Sequence, residues 1–354
     1  MRNTLRGLCG LLLPVVLLVM AACVRQKPAA VTLGPEAIYS EFVGNTACQP
    51  CHAVEFTSHQ KSRHMSTLRD ATPAALGSLV PALGVTPGGI ALTQDGAGLA
   101  VKMVKKSGTQ TVPLAFVLGS GKTGMTFLAL LEQGSAEIFQ SYFPNQQKWH
   151  TTPGQQDYAH GSLGRPYDES TTRHCLSCHT VTLPLNSLKP EPRFYGVGCE
   201  ACHGPGSRHV AAKQQGRKTD DSRLRQFDRS SGKAVNELCG RCHRTATDLA
   251  TMDPREKAST QRFQPFGLSL SKCFIQSKDK LTCVTCHNPH DDASTDTKRY
   301  EAICVSCHAT PQKACPVNAK EKCISCHMPT RPVFPGSPLP NQMADHFIKI
   351  YRQP

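Results

Sequence analysis

One pattern dominates this chain. Cysteine, two other residues, cysteine and then histidine recur seven times, using 14 of the 18 cysteines. The copies are Cys48/Cys51/His52, Cys175/Cys178/His179, Cys199/Cys202/His203, Cys239/Cys242/His243, Cys283/Cys286/His287, Cys304/Cys307/His308 and Cys323/Cys326/His327. The two-residue gap puts both thiols on one side of a helical turn. From there they reach the two vinyl groups of a haem, and the adjacent histidine lies under the ring as the proximal iron ligand. A disulfide framework would not require histidine after every pair. Structural zinc takes four ligands, usually from paired knuckles, and would leave the histidines unexplained. The expected cofactors are therefore seven covalently attached c-type haems.

Eight of the 15 histidines remain once the seven motif histidines are set aside. Imidazole is a common second axial ligand, so the supply covers seven six-coordinate irons with one to spare. His64, His209, His290 and His346 are the leading distal candidates; His59, His150, His160 and His174 form a second group. His290 follows His287 by three residues, so the macrocycle would separate them and His290 must serve a neighbouring haem. His209 follows His203 across Gly204-Pro205-Gly206, which turns the chain sharply. His174 abuts Cys175 and would also have to reach another haem, while Met328 is read as a packing residue.

The run Gly196-Val-Gly-Cys-Glu-Ala-Cys-His-Gly-Pro-Gly-Ser-Arg-His209 resembles the multihaem c-type cytochromes with doubled Cys-x-x-Cys-His motifs. That superfamily includes the tetrahaem cytochrome of ammonia oxidisers, hydroxylamine oxidoreductase and multihaem nitrite reductases. Leu281 to His290, Cys326-His327-Met328-Pro329, Asp345-His346-Phe347-Ile348 and Ser62-Arg63-His64 carry the same likeness, which spans roughly residues 45–350. In similar proteins the histidine at the place of His64 is a distal ligand, and the place of His59 is often tryptophan.

Six of the motifs crowd between Cys175 and His327, roughly 25 residues per site. So little chain cannot enclose each ring in side chains. A 39% hydrophobic and 6% aromatic composition agrees with a core made of the haems themselves. The expected fold is mostly α and irregular, with short helices at the motifs and a small antiparallel β-meander inserted after the first site. Strand-like runs at Ile90–Thr93, Leu99–Lys105, Thr111–Val117, Thr126–Glu132 and Glu137–Tyr142 are punctuated by Asp95-Gly96, Ser107-Gly108, Gly119–Gly124 and Gly134-Ser135. Expected segments are an export signal (1–22), a tether (23–44), a first haem segment (45–71), the β-rich insert (72–148) and a six-haem module (149–354).

The N-terminus has Arg2 and Arg6 before an apolar run, Leu8–Met20, too short to span a bilayer. It closes on Met20-Ala-Ala-Cys23, which resembles a bacterial lipobox with Cys23 as the lipidated residue. Ordinary cleavage after a small residue is the alternative. Either way the chain is exported; the lipid reading gives a membrane-anchored protein facing the periplasm or cell surface. Cys273 and Cys315 form a disulfide or remain thiols.

Gly119-Ser-Gly-Lys-Thr-Gly124 lacks the first glycine of a phosphate-binding loop, Phe116 standing there, and reads as a turn. Residues 208–233 are a basic, solvated linker. The net charge of +14 falls to +12 without residues 1–22. Fourteen haem propionates against the ferric cores would bring the oxidised protein to about +5 and the reduced one to about −2. The basic excess is thus counter-charge to the cofactors, which removes the support for a nucleic-acid partner.

Three functions are compatible with this pattern. The favoured one is an electron carrier between a membrane or periplasmic donor and an acceptor, both redox proteins. The alternative is a haem oxidoreductase acting on a small nitrogen or sulfur compound at one open-coordinate iron. All seven motifs keep histidine, unlike the lysine that marks the active haem of pentahaem nitrite reductases. Tyr142, Tyr158, Tyr167, Tyr195 and Tyr300 are candidates only by type for the crosslinking tyrosine of hydroxylamine oxidoreductase. The third is a filament-forming cytochrome, which lipidation at Cys23 would disfavour.

Overall fold

The fold is taken from a computed structural model that describes residues 35–105, 108–217, 231–252, 260–278, 280–309, 321–334 and 341–351, with positions 224, 315, 317 and 339. The signal, Cys23, most of the tether and residues 218–223 and 225–230 of the basic linker lie outside the described residues, while the start of that linker belongs to the helix Ser207–Gln214.

Strands are β1 (Leu68–Asp70), β2 (Gly84–Val85), β3 (Ala91–Asp95), β4 (Gly98–Lys105), β5 (Gly108–Pro113) and β6 (Phe116–Leu118). They continue as β7 (Met125–Leu131), β8 (Gly134–Phe143), β9 (Lys148–Thr151), β10 (Gly164–Tyr167), β11 (Thr330–Pro332) and β12 (Gln342–Ala344). Instead of one meander there are two larger antiparallel sheets. One runs β2-β3-β4-β5; the other runs β1-β6-β7-β8-β10, with β9 also on β8. The stretch Thr111–Val117 is split between them. Pro113 closes β5, and β6 starts at Phe116 in the other sheet. The second sheet also takes β1 from before residue 72 and β10 from after residue 148.

The split gives the second sheet two buried faces. Met125, Phe127, Ala129 and Ile138 pack with Leu92, Leu99, Val101 and Met103 of the first sheet. On the opposite face Leu68, Phe116 and Leu128 pack with Leu176, from the helix Glu169–Ser177. Nine of the ten residues of β8 are buried, which is why its sequence lacks a clean polar alternation. Gly134 opens β8 at φ 133°, and a Cβ there would lie 2.0 Å from the Tyr167 carbonyl. Only glycine lets β10 approach so closely. Gly119–Gly124 is the turn joining β6 to β7.

Most motif segments sit on short helices. Asp168 caps the helix Glu169–Ser177 by accepting from the Thr171 amide at 2.7 Å. Gly232–His243 and Thr297–His308 both end on a motif histidine, capped at their starts by Ser231 and Asp296. Cys199–His203, Cys283–Cys286 and Cys323–His327 are single turns.

The first motif departs from the expected helix. Cys48 and Cys51 lie in a turn between the 3-10 helix Asn45–Ala47 and the helix Ala53–Gln60. The Cys51 amide donates to the Cys48 carbonyl at 3.3 Å and the His52 amide to the same oxygen at 3.0 Å. Pro50 has no amide to add to this turn. His52, at φ −119° and ψ 46°, leaves the helical region and becomes the N-cap of the next helix. Among the described residues no helix is long and apolar enough to cross a membrane.

Candidate haem-binding site

Three motif histidines are held by their Nδ1 atoms. His179 Nδ1 pairs with the Thr67 carbonyl at 2.9 Å, His243 Nδ1 with Gln264 Oε1 at 3.0 Å and His327 Nδ1 with the Lys349 carbonyl at 3.1 Å. A ring that donates from Nδ1 presents an unprotonated Nε2, the atom an axial ligand uses. Burial lowers the pKa of His179, His243 and His287 and so favours the neutral form that ligates.

Four of these histidines face another histidine. Ring centres are 6.4 Å apart in His52–His209, 6.3 Å in His203–His290, 6.2 Å in His64–His243 and 6.1 Å in His287–His346. A metal–imidazole nitrogen bond is about 2 Å and the ring centre lies about 1.1 Å beyond, so two axial imidazoles on one iron stand about 6.2 Å apart. The four gaps therefore fit an iron between the rings. Burial pushes His64 and His346 down to about 4, helped by the facing His243 and His287 and opposed by hydrogen bonds to the Pro289 and Ala344 backbones. Among the described residues no group of three or more His, Cys, Asp or Glu converges as a protein-only metal site would.

His64, His209, His290 and His346 are thus each brought opposite a motif histidine from elsewhere in the chain. The second group is placed differently. His59 is buried with Nε2 2.9 Å from the Val197 carbonyl, and it lies beside His64 and His290 rather than across from a motif histidine. Nε2 of His150 meets Gln146 Oε1 at 2.9 Å, that of His160 the Pro87 carbonyl at 2.6 Å, and that of His174 the Arg244 guanidinium at 3.1 Å. Each of these nitrogens is engaged by protein.

The attachment cysteines also meet one another. Cys48 interacts with Cys199, Cys178 with Cys242, Cys239 with Cys283 and Cys304 with Cys323. Cys202 lies near Cys239, and Cys286 near Cys304. The attachment sites therefore form one connected series.

The two cysteines of a motif are not equally enclosed. Cys51, Cys242, Cys307 and Cys326, each the second of its pair, are exposed, while the other ten are partly buried. The turn that bears Cys51 lies at the protein surface, and the first motif joins the series through Cys48. Cys273 and Cys315 are not joined: Cys273 lies near Cys286, Cys304 and Cys307, and Cys315 near Cys323.

Among the tyrosines, Tyr142 packs against Trp149 with its ring tilted by 54°, Tyr167 donates to Glu137 Oε2 at 3.1 Å and Tyr195 to Asp70 Oδ1 at 2.7 Å. Tyr158 interacts with Arg165. Tyr300 is the one beside a motif histidine, with Oη 3.5 Å from His287 Nδ1.

Sequence reasoning passed over two carboxylates that tie these segments together. Asp292 accepts from the Arg63 amide at 2.6 Å and pairs with the Lys122 ammonium, fastening the loop after His290 to the residue before His64. Glu200, between the cysteines of the third motif, accepts from three backbone amides. Its position inside a motif whose middle residues vary gave no sign of this. The clue available was the glycine-rich run after it, where backbone amides are exposed to an acceptor.

Residues 134–204 match the family model of cytochrome c554 and c-prime. The chain is 21% identical over 386 aligned positions to the dissimilatory sulfite reductase MccA of Wolinella succinogenes, covering 82% of this chain and 51% of that protein. It is 25% identical over 151 residues to a probable tetraheme cytochrome c-type of Nitrosomonas europaea, covering 39% and 56%. The chain spans about half the length of these curated relatives. Its fold resembles the crystal structure of the outer cell wall cytochrome OcwA, with TM-score 0.52 and 16% identity over 87% of this chain and 80% of that one.

The chain is a multihaem c-type cytochrome. The cytochrome binds its haems covalently, and the Cys-x-x-Cys-His motifs are the residues that suit this attachment. Its fold combines short helices with antiparallel sheets.

Proposed function

We propose that the cytochrome carries seven haems and acts as an electron carrier between redox proteins. The attachment residues are the fourteen motif cysteines, the exposed Cys51 included, and the proximal ligands are the seven motif histidines. His209, His290, His64 and His346 are the distal ligands opposite His52, His203, His243 and His287. When bound, each haem iron supplies a one-electron ferric–ferrous couple. The chain's own part is to fix neutral imidazoles on both faces of an iron and to keep successive attachment sites adjacent. At those four sites filled axial positions leave no face for a substrate, which suits transfer rather than turnover.

The single observation behind this reading is the set of four facing histidine pairs. A pyridine haemochrome assay tests the stoichiometry and should return seven haems per chain; a clearly lower number would overturn it. Export with lipid attachment at Cys23 completes the proposal, holding the carrier at a membrane surface.

A second reading has its own support. His179 is held at Thr67, and no histidine ring faces it among the described residues. The relative matched over 82% of the chain is named a sulfite reductase. A haem oxidoreductase with His179 behind an open iron is the corresponding alternative. Rapid reoxidation of the reduced protein by sulfite, nitrite or hydroxylamine would favour it over the carrier.

A further inference from the structure

Glu200 is 4% exposed, and a buried carboxylate is costly unless its oxygens are satisfied. Its oxygens are met by backbone. Oε1 accepts from the amides of Val43 at 3.0 Å and Gly206 at 2.7 Å; Oε2 accepts from Gly44 at 2.8 Å and more weakly from Val43 at 3.2 Å. Charge-assisted bonds of this kind are among the stronger ones a protein makes.

The three amides belong to two segments. Val43 and Gly44 lead into Cys48 and His52. Gly206 is the N-cap of the helix Ser207–Gln214, which carries His209. Neighbouring contacts join the same two segments. The Glu41 carbonyl accepts from the Ser207 amide at 3.1 Å, and the Glu41 carboxylate pairs with Arg208 at 3.4 Å. Asn45 Oδ1 accepts from the Cys199 amide at 2.8 Å. Residues 41–45 therefore form a strap laid across the third motif. The fit is close: a Cβ on Gly198 would lie 2.4 Å from Asn45 Oδ1, and one on Gly206 would lie 3.1 Å from Glu200 Oε1.

We propose that Glu200 is the positioning residue of the His52–His209 pair. One buried side chain holds both the segment entering the first motif and the start of the helix bearing the facing imidazole. The gap between the rings is set by that side chain rather than by either histidine's own element. This rests on the reading that His52 and His209 bracket one haem iron.

The test compares oxidised holoprotein of the wild type, His209→Ala, Glu200→Gln and Glu200→Ala by electron paramagnetic resonance, with covalent haem content measured alongside. Glu200→Gln keeps the volume but turns one acceptor into a donor aimed at backbone amides. The expected result is unchanged haem content and loss, by more than half, of the low-spin component that His209→Ala removes. High-spin ferric signal should appear in its place, and the components of the other three pairs should persist. Retention of that component in both Glu200 variants overturns the proposal, as does a general loss of haem in both, which would mark Glu200 as scaffold only. Failure of His209→Ala itself to remove a low-spin component would instead overturn the bis-histidine reading of this pair.

Discussion

His203 and His290 face each other with ring centres 6.3 Å apart and planes 8° from parallel. His290 reaches this position because Asn288-Pro289 carries it away from its own motif histidine, His287. Replacing His290 by alanine should convert one low-spin ferric haem to high spin without changing the covalent haem count. The variant His59→Ala is the control. Its Nε2 is bonded to the Val197 carbonyl, so the low-spin spectrum should be unaltered. Paramagnetic resonance of the two variants side by side checks both expectations.

The His64–His243 pair differs from the others in orientation. Its ring planes cross at 77°, against 29°, 8° and 32° in the other three pairs. Parallel imidazoles split the two iron d orbitals that overlap their π systems, and crossed imidazoles leave them nearly equal in energy. One ferric component should therefore be highly anisotropic, with its largest g-value well above those of the parallel pairs. His64→Ala should abolish that component selectively.

The two sheets depend on side-chain packing more than the haem segments do. Phe127 is 1% exposed between them and lies against Trp149. Phe127→Ala should cost about 3–5 kcal/mol, through lost burial and the cavity left behind. Val104 is 87% exposed in β4, and its replacement by alanine should change stability little. Denaturant unfolding followed by far-ultraviolet circular dichroism separates the two outcomes.

The proposed export and lipid attachment make Cys23 the residue that holds the chain at a membrane. Cys23→Ala should release the protein from the membrane fraction and abolish labelling by a radioactive fatty acid, with haem content unchanged. Unaltered membrane association in the variant would point to another mode of attachment.

The parts of this molecule legible in the sequence are the local ones. A cysteine pair with its histidine occupies five residues, and turn geometry alone gives it meaning. That geometry does not require a full helix: Cys48 and Cys51 sit in a turn that His52 ends, and the spacing reads the same. His209 and His290 stood out as candidates by their place just after a motif, and His64 and His346 by family likeness; the histidine that each one faces could not be read, because each pair joins distant segments. Thr111–Val117 looked like one strand because its residues suit strands throughout. The break at Leu114-Ala115 reflects two sheets competing for the same run, and only packing decides where the chain crosses. Likewise β1 and β10 are too short to announce themselves, and they exist because β6 and β8 offer edges. Glu200 was hard to find for a related reason: its three donors are backbone amides, and the glycine-rich run that exposes one of them does not name the acceptor.

The most direct measurement is spin-quantified paramagnetic resonance of the fully oxidised holoprotein with known haem stoichiometry. Seven haems per chain, at least four of them low-spin and one of those highly anisotropic, is the outcome expected if the facing histidines bracket iron. A spectrum dominated by high-spin ferric haem would contradict it.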